Sequence, residues 1–148
     1  MRNFGLVDQV GVALLLVTLT LWLQCGGIAA LLAWLRGAAA GDVHKLGAFH
    51  STLLVVRLTT AVVAVHGLEV LLWACCYRWL CFPSWESALY FSASSYATVG
   101  YGDVILPSKW RVLGPLESIL GVLMCGLSVS LLFALAARLV GRDGGSPP

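Results

Sequence analysis

The chain is 148 residues long, 59% apolar and 11% charged, whereas a soluble domain carries about 25% charged residues. Nine Lys/Arg and seven Asp/Glu cannot cover a water-facing surface, which excludes a soluble globule and a disordered chain. A formal charge of +2 is too small to suggest a nucleic-acid partner. What remains is an all-α integral membrane protein with room for roughly three or four spans and no separate soluble domain.

Val10 to Leu35 is a run of 26 residues without a charge, long enough to cross a bilayer with some tilt. It is too long for the apolar region of a signal peptide. Gln24 before Cys25 also argues against lipoprotein processing, so a retained helix is expected. Arg36 to Ser51 is a Gly- and Ala-rich connection containing Asp42, His44, Lys45 and His50. Residues 1–51 therefore form one unit, a spanning helix and its connection.

The second span is expected over Leu58 to Tyr77, between Arg57 and Arg78, and it holds two polar residues, His66 and Glu69. Three residues apart, they share a helix face. An ionised carboxylate in hydrocarbon is costly, so the pair is expected to face protein. One reading is a structural hydrogen-bond pair; the other is a proton-sensing pair, because an imidazole changes charge near neutral pH. The third span is expected over Ser118 to Ala137, closed by Arg138 and Arg142, with residues 141–148 a disordered tail.

Cys81 to Arg111, between those spans, carries most information. Pro83-Ser84 followed by Trp85-Glu86 reads as a helix start, with Ser84 as N-cap and Glu86 in the first turn. The helix, from Trp85 to about Tyr96, would be roughly 18 Å long, too short to cross. It ends at Thr98-Val99-Gly100-Tyr101-Gly102-Asp103, where the glycines forbid regular helix and permit positive φ. A short helix followed by extended Gly-rich backbone between two spans describes a re-entrant loop. Such backbone is tolerated at membrane depth only when it lines a cavity or is buried in protein.

Thr98-Val99-Gly100-Tyr101-Gly102 is the potassium-channel signature, and residues 52–140 resemble the two-span pore unit of that family. The resemblance implies a homotetramer in which four loops turn backbone carbonyls to a common axis and replace the hydration shell of K⁺. Ions would sit at Thr98, Val99, Gly100 and Tyr101, with the Thr98 hydroxyl at the innermost site. The Val99 and Tyr101 side chains would point away from the pore toward the short helix. Asp103 matches the acidic residue after the filter, and Gly121 and Gly126 match glycines of the inner helix. The first of these is often treated as a gating hinge, although small residues also serve close packing. His66-Gly-Leu-Glu69-Val-Leu-Leu-Trp73-Ala74 looks like small bacterial channels of this type, which implies a multi-pass protein of the bacterial inner membrane.

Some positions depart from the pattern. Ala97 stands where many relatives have a second Thr. Ser94 stands where some carry an acidic partner for the post-filter Asp, and Tyr90, one turn earlier, is expected to hydrogen-bond Asp103 instead. The first span lies outside the basic unit.

With the loop mouth outward, as in the family, Arg36, Lys45, Arg57, Arg138 and Arg142 lie inside against Arg2, Arg78, Lys109 and Arg111 outside, a weak bias in the expected direction. The function implied is passive, K⁺-selective conduction, not catalysis, with K⁺, the lipid bilayer and three further copies as partners and no cofactor besides bound K⁺. The alternatives are a weakly selective cation channel, which the presence of Tyr101 disfavours, and a non-conducting accessory subunit. A third is an intramembrane redox or haem protein using Cys75, Cys76, Cys81 and the histidines. The cysteines lack paired metal-ligand spacing, so packing is their expected role. A disulfide through Cys81 stays open should that end face an oxidising compartment.

Overall fold

The computed structural model describes residues 6–38 and 48–143. Four α-helices follow one another: α1 (Leu6–Ala38), α2 (Ala48–Leu80), the short α3 (Trp85–Tyr96) and α4 (Leu113–Asp143), with a 3₁₀ turn at Ser108–Trp110 before the last. Among the described residues no segment pairs into a β-sheet. Three segments are long and apolar enough to cross a membrane: Val7–Gly37, Thr52–Leu80 and Ser108–Ala137. The fold is all-α, as the composition requires.

The long helices outrun the apolar runs that announce them. α1 and α2 each have 33 residues, about 50 Å against a hydrocarbon core of about 30 Å. Backbone hydrogen bonding does not stop where hydrophobicity does. Arg36, Arg57 and Arg78 are good helix formers that carry their helices into the interface. α2 therefore begins ten residues before the expected Leu58, inside the expected connection, and α4 extends through Gly141–Asp143, the start of the expected tail. The rest of both expectations, residues 39–47 and 144–148, lies outside the described residues.

α3 lies between α2 and α4, and α1 packs along both of those helices. The core is built from Trp73 and Tyr77 of α2, Ala88 and Tyr96 of α3, and Leu113, Leu120 and Met124 of α4. Leu16 of α1, Leu106 and Trp110 complete it. Tyr77 sets its ring edge-on to Phe91 at a centroid distance of 5.0 Å, a favourable aromatic geometry.

Two buried polar residues of α1, Thr20 and Gln24, have partners on its neighbours. Trp73 Nε1 donates to Thr20 Oγ1 at 3.0 Å. The Gln24 amide nitrogen donates to the Met124 carbonyl at 3.2 Å and to Ser128 Oγ at 2.9 Å. Gly27 admits the Val65 side chain so closely that a Cβ there would lie 2.8 Å from it. Large apolar side chains such as Trp22, Val63, Val129 and Phe133 stay exposed, suited to lipid or to further copies of the chain.

Candidate functional site

α3 starts as its sequence dictates. Ser84 adopts an extended conformation and its hydroxyl accepts from the Ser87 N–H at 3.2 Å, while Glu86 sits in the first turn against the positive end of the helix. After twelve residues the helix closes at Ala97, whose N–H donates to the Ala93 carbonyl at 3.1 Å.

The next three residues turn their N–H groups back onto that helix end. Thr98 N–H donates to the Ser95 carbonyl at 2.9 Å, and Val99 and Gly100 both donate to the Ser94 carbonyl, at 2.8 and 3.2 Å. No peptide bond among the described residues is cis. In a trans peptide each N–H lies opposite the preceding carbonyl. The carbonyls of Ala97, Thr98 and Val99 therefore point away from α3.

From Thr98 on, φ alternates in sign. Thr98 has φ +59°, Gly100 +54° and Gly102 +81°, while Val99 and Tyr101 stay out of the left-handed region. A backbone whose φ changes sign from residue to residue fits neither a regular helix nor an extended strand, and it re-aims each peptide group in turn. The glycines adopt this freely, but for a β-branched threonine it is an outlier. Strain of this kind persists only where surrounding bonds impose it, and here the three N–H bonds to α3 do so.

The flanks of the strand are held from outside. Tyr90 Oη donates to Asp103 Oδ2 at 2.9 Å, as the sequence suggests, and that bond holds the exposed Tyr90 phenol above its ordinary pKa. The Tyr101 ring stacks on Tyr90, with centroids 6.1 Å apart and planes 15° from parallel. Val99 is half exposed. Ser94 supports the strand through its backbone carbonyl; its side chain turns back to the Phe91 carbonyl at 3.0 Å.

His66 and Glu69 share a face of α2 and meet the last residue of α3. Tyr96 Oη donates to Glu69 Oε2. His66 Nδ1 lies 2.7 Å from Tyr96 Oη and 3.1 Å from Glu69 Oε2. Glu69 is fully buried, and Glu69 Oε1 and His66 Nε2 have no partner. On α4, a Cβ at Gly121 would lie 2.1 Å from the Tyr96 carbonyl oxygen, so this glycine is where α4 touches the end of α3. Gly126 has open space around it. α4 is one continuous helix through both positions.

Sequence reasoning missed Glu117. It immediately precedes the charge-free stretch from which the third span was counted, yet it lies inside α4, fully buried. The available signal was a charge four residues after Leu113, within an otherwise apolar run. The five cysteines are free, and among the described residues no group of three or more His, Cys, Asp and Glu is placed to hold a metal ion. Burial pushes the Cys81 thiol up to about 12, which leaves it a poor nucleophile.

A family model described as an ion channel matches residues 52–138, from the first turns of α2 into the last turns of α4, leaving α1 outside. No curated protein and no solved structure matches the chain. With three helices able to span and the matched segment covering more than half its length, this multi-pass membrane chain belongs to the ion channel family.

Proposed function

We propose that the chain is a potassium-selective channel whose filter is the strand Thr98–Gly102. The observation that carries this reading is the backbone of that strand. Three consecutive carbonyls are turned away from α3 by N–H bonds behind them, and φ alternates in sign through Gly102. Carbonyls aligned on one side can replace the water around a cation of K⁺ size. The carbonyls of Thr98, Val99, Gly100 and Tyr101, with the Thr98 hydroxyl, form the ion sites. Tyr90, Asp103 and the Ser94 carbonyl support them. α3 is the pore helix, and its negative C-terminal end favours a cation beside it.

One chain supplies one strand, so a closed pathway takes four copies around an axis. A concavity of about 800 Å³ lined by Thr98, Gly100, Leu106 and Ile119 leaves the strand open on the side where a neighbouring copy would sit. Gly126, with free space around it, is the hinge that suits bending of α4. Gly121 is pinned against Tyr96.

The same reading makes His66 and Glu69 a site of proton control, linked to the filter through Tyr96, the residue two before it. The groups facing the imidazole are Glu69 on its own helix and Tyr96 on α3; Cys125 and Glu117 of α4 lie within electrostatic reach of that pair.

The test is ion flux in liposomes holding only the purified protein. Wild type passes K⁺ in preference to Na⁺ and is blocked by Ba²⁺, which has a K⁺-like radius and twice the charge. Gly100→Ala places a side chain at φ +54°, and Tyr101→Asp removes the ring stacked on Tyr90; both abolish K⁺-selective flux. Selective flux surviving in Gly100→Ala overturns the filter assignment.

A further inference from the structure

The carboxyl of Glu117 joins three helices. It belongs to the second turn of α4, has no exposed surface, and reaches two other elements. Tyr77 Oη of α2 donates to Oε2 at 2.8 Å. Ser92 Oγ of α3 lies 2.5 Å from Oε1 and also 2.9 Å from the Val70 carbonyl of α2. No Lys, Arg or His among the described residues forms an ion pair with Glu117; the ion pair present there is His66 with Glu69. A buried carboxyl without a counter-ion is costly and stays in place only where its hydrogen bonds are well met.

Ser92 and Tyr96 are four residues apart, so they share the face of α3 turned from the strand. Glu117 holds the first and Glu69 the second. By contrast, the bond between Tyr90 and Asp103 on the strand's outer flank lies at exposed residues, where water competes with it. The buried contacts are the durable ones.

Resting on the channel reading above, we propose that Glu117 is a positioning residue for the filter: it fixes α3 against α2 and α4 through Ser92 and Tyr77, and so sets where the strand's carbonyls stand. It touches no ion itself.

Glu117→Gln keeps the geometry. The amide oxygen accepts from Tyr77, and the amide nitrogen donates to Ser92, whose own proton then serves Val70. Glu117→Ala breaks both links, Ser92→Ala breaks the one to α3, and Tyr77→Phe breaks the one to α2. The readout is the K⁺/Na⁺ flux ratio of reconstituted protein at matched quantities of assembled channel. A merely structural role lowers yield and total flux without moving that ratio.

The expected result is a ratio lowered about tenfold in Glu117→Ala and Ser92→Ala, lowered less in Tyr77→Phe, and restored in Glu117→Gln. Should Glu117→Ala fail to assemble, the two milder variants carry the test. A wild-type ratio in Ser92→Ala and Tyr77→Phe overturns the proposal, as does a Glu117→Gln ratio as poor as that of Ser92→Ala. Wild type run alongside separates the two levels: absence of K⁺ flux from wild type removes the channel reading, whereas selective wild type with unmoved variants removes only the role of Glu117.

Discussion

His66 has one ring nitrogen engaged and one left over. With Tyr96 Oη donating to Glu69, the oxygen is free to accept from His66 Nδ1–H, while Nε2 is buried and without a partner. Nδ1 also lies 3.1 Å from Glu69 Oε2. Under the proposed proton control, K⁺ flux of wild type should vary between about pH 5 and 8, and His66→Gln should flatten the profile. Identical profiles in the two proteins leave the pair a structural role. The spacing of His66 and Glu69 made their shared face legible in sequence. Tyr96 was not, because 27 residues separate it from Glu69 and only tertiary packing brings them together. Glu117 was hidden for another reason: counting spans from charge-free runs sets aside a charge at the edge of a run.

Among the elements, α3 was the most legible, because capping and turn chemistry are local. Ser84, Glu86, Gly100 and Gly102 fix its start and its stop within a few residues of chain. The long helices were legible as spans but not in extent, since their ends depend on where the chain meets water. The contact of α4 with α3 at Gly121 could not be read at all; a glycine that admits a neighbouring backbone looks in sequence like one that bends. Gly121→Ala puts a methyl group 2.1 Å from the Tyr96 carbonyl oxygen, and backbone cannot swing aside as a side chain can. Overpacking of this kind costs about 1–3 kcal/mol. Gly121→Ala should show a lower unfolding midpoint in detergent together with loss of flux. Gly126→Ala, with nothing near it, should keep its midpoint, because Ala is the better helix former. Equal midpoints for the two variants would show that α4 and α3 do not approach so closely.

For the whole molecule, the proposed filter needs more than one chain, because a single such backbone would line only one side of an ion pathway. Cross-linking in membranes should stop at four copies. Co-reconstituting wild type with Gly100→Ala chains should depress K⁺ flux more steeply than the share of wild-type chains falls, because one distorted strand spoils a shared site. Flux that falls only in proportion would mean that each chain conducts alone.

α1 belongs to none of the matched segment, yet its Gln24 holds the Met124 backbone and Ser128 of α4. Those residues flank Gly126. A helix that swings at that glycine carries one of Gln24's two partners with it and leaves the other behind. Under the proposed hinge at Gly126, each opening stroke would have to drag α1 along or tear the amide free, which would make α1 a latch on the far half of α4.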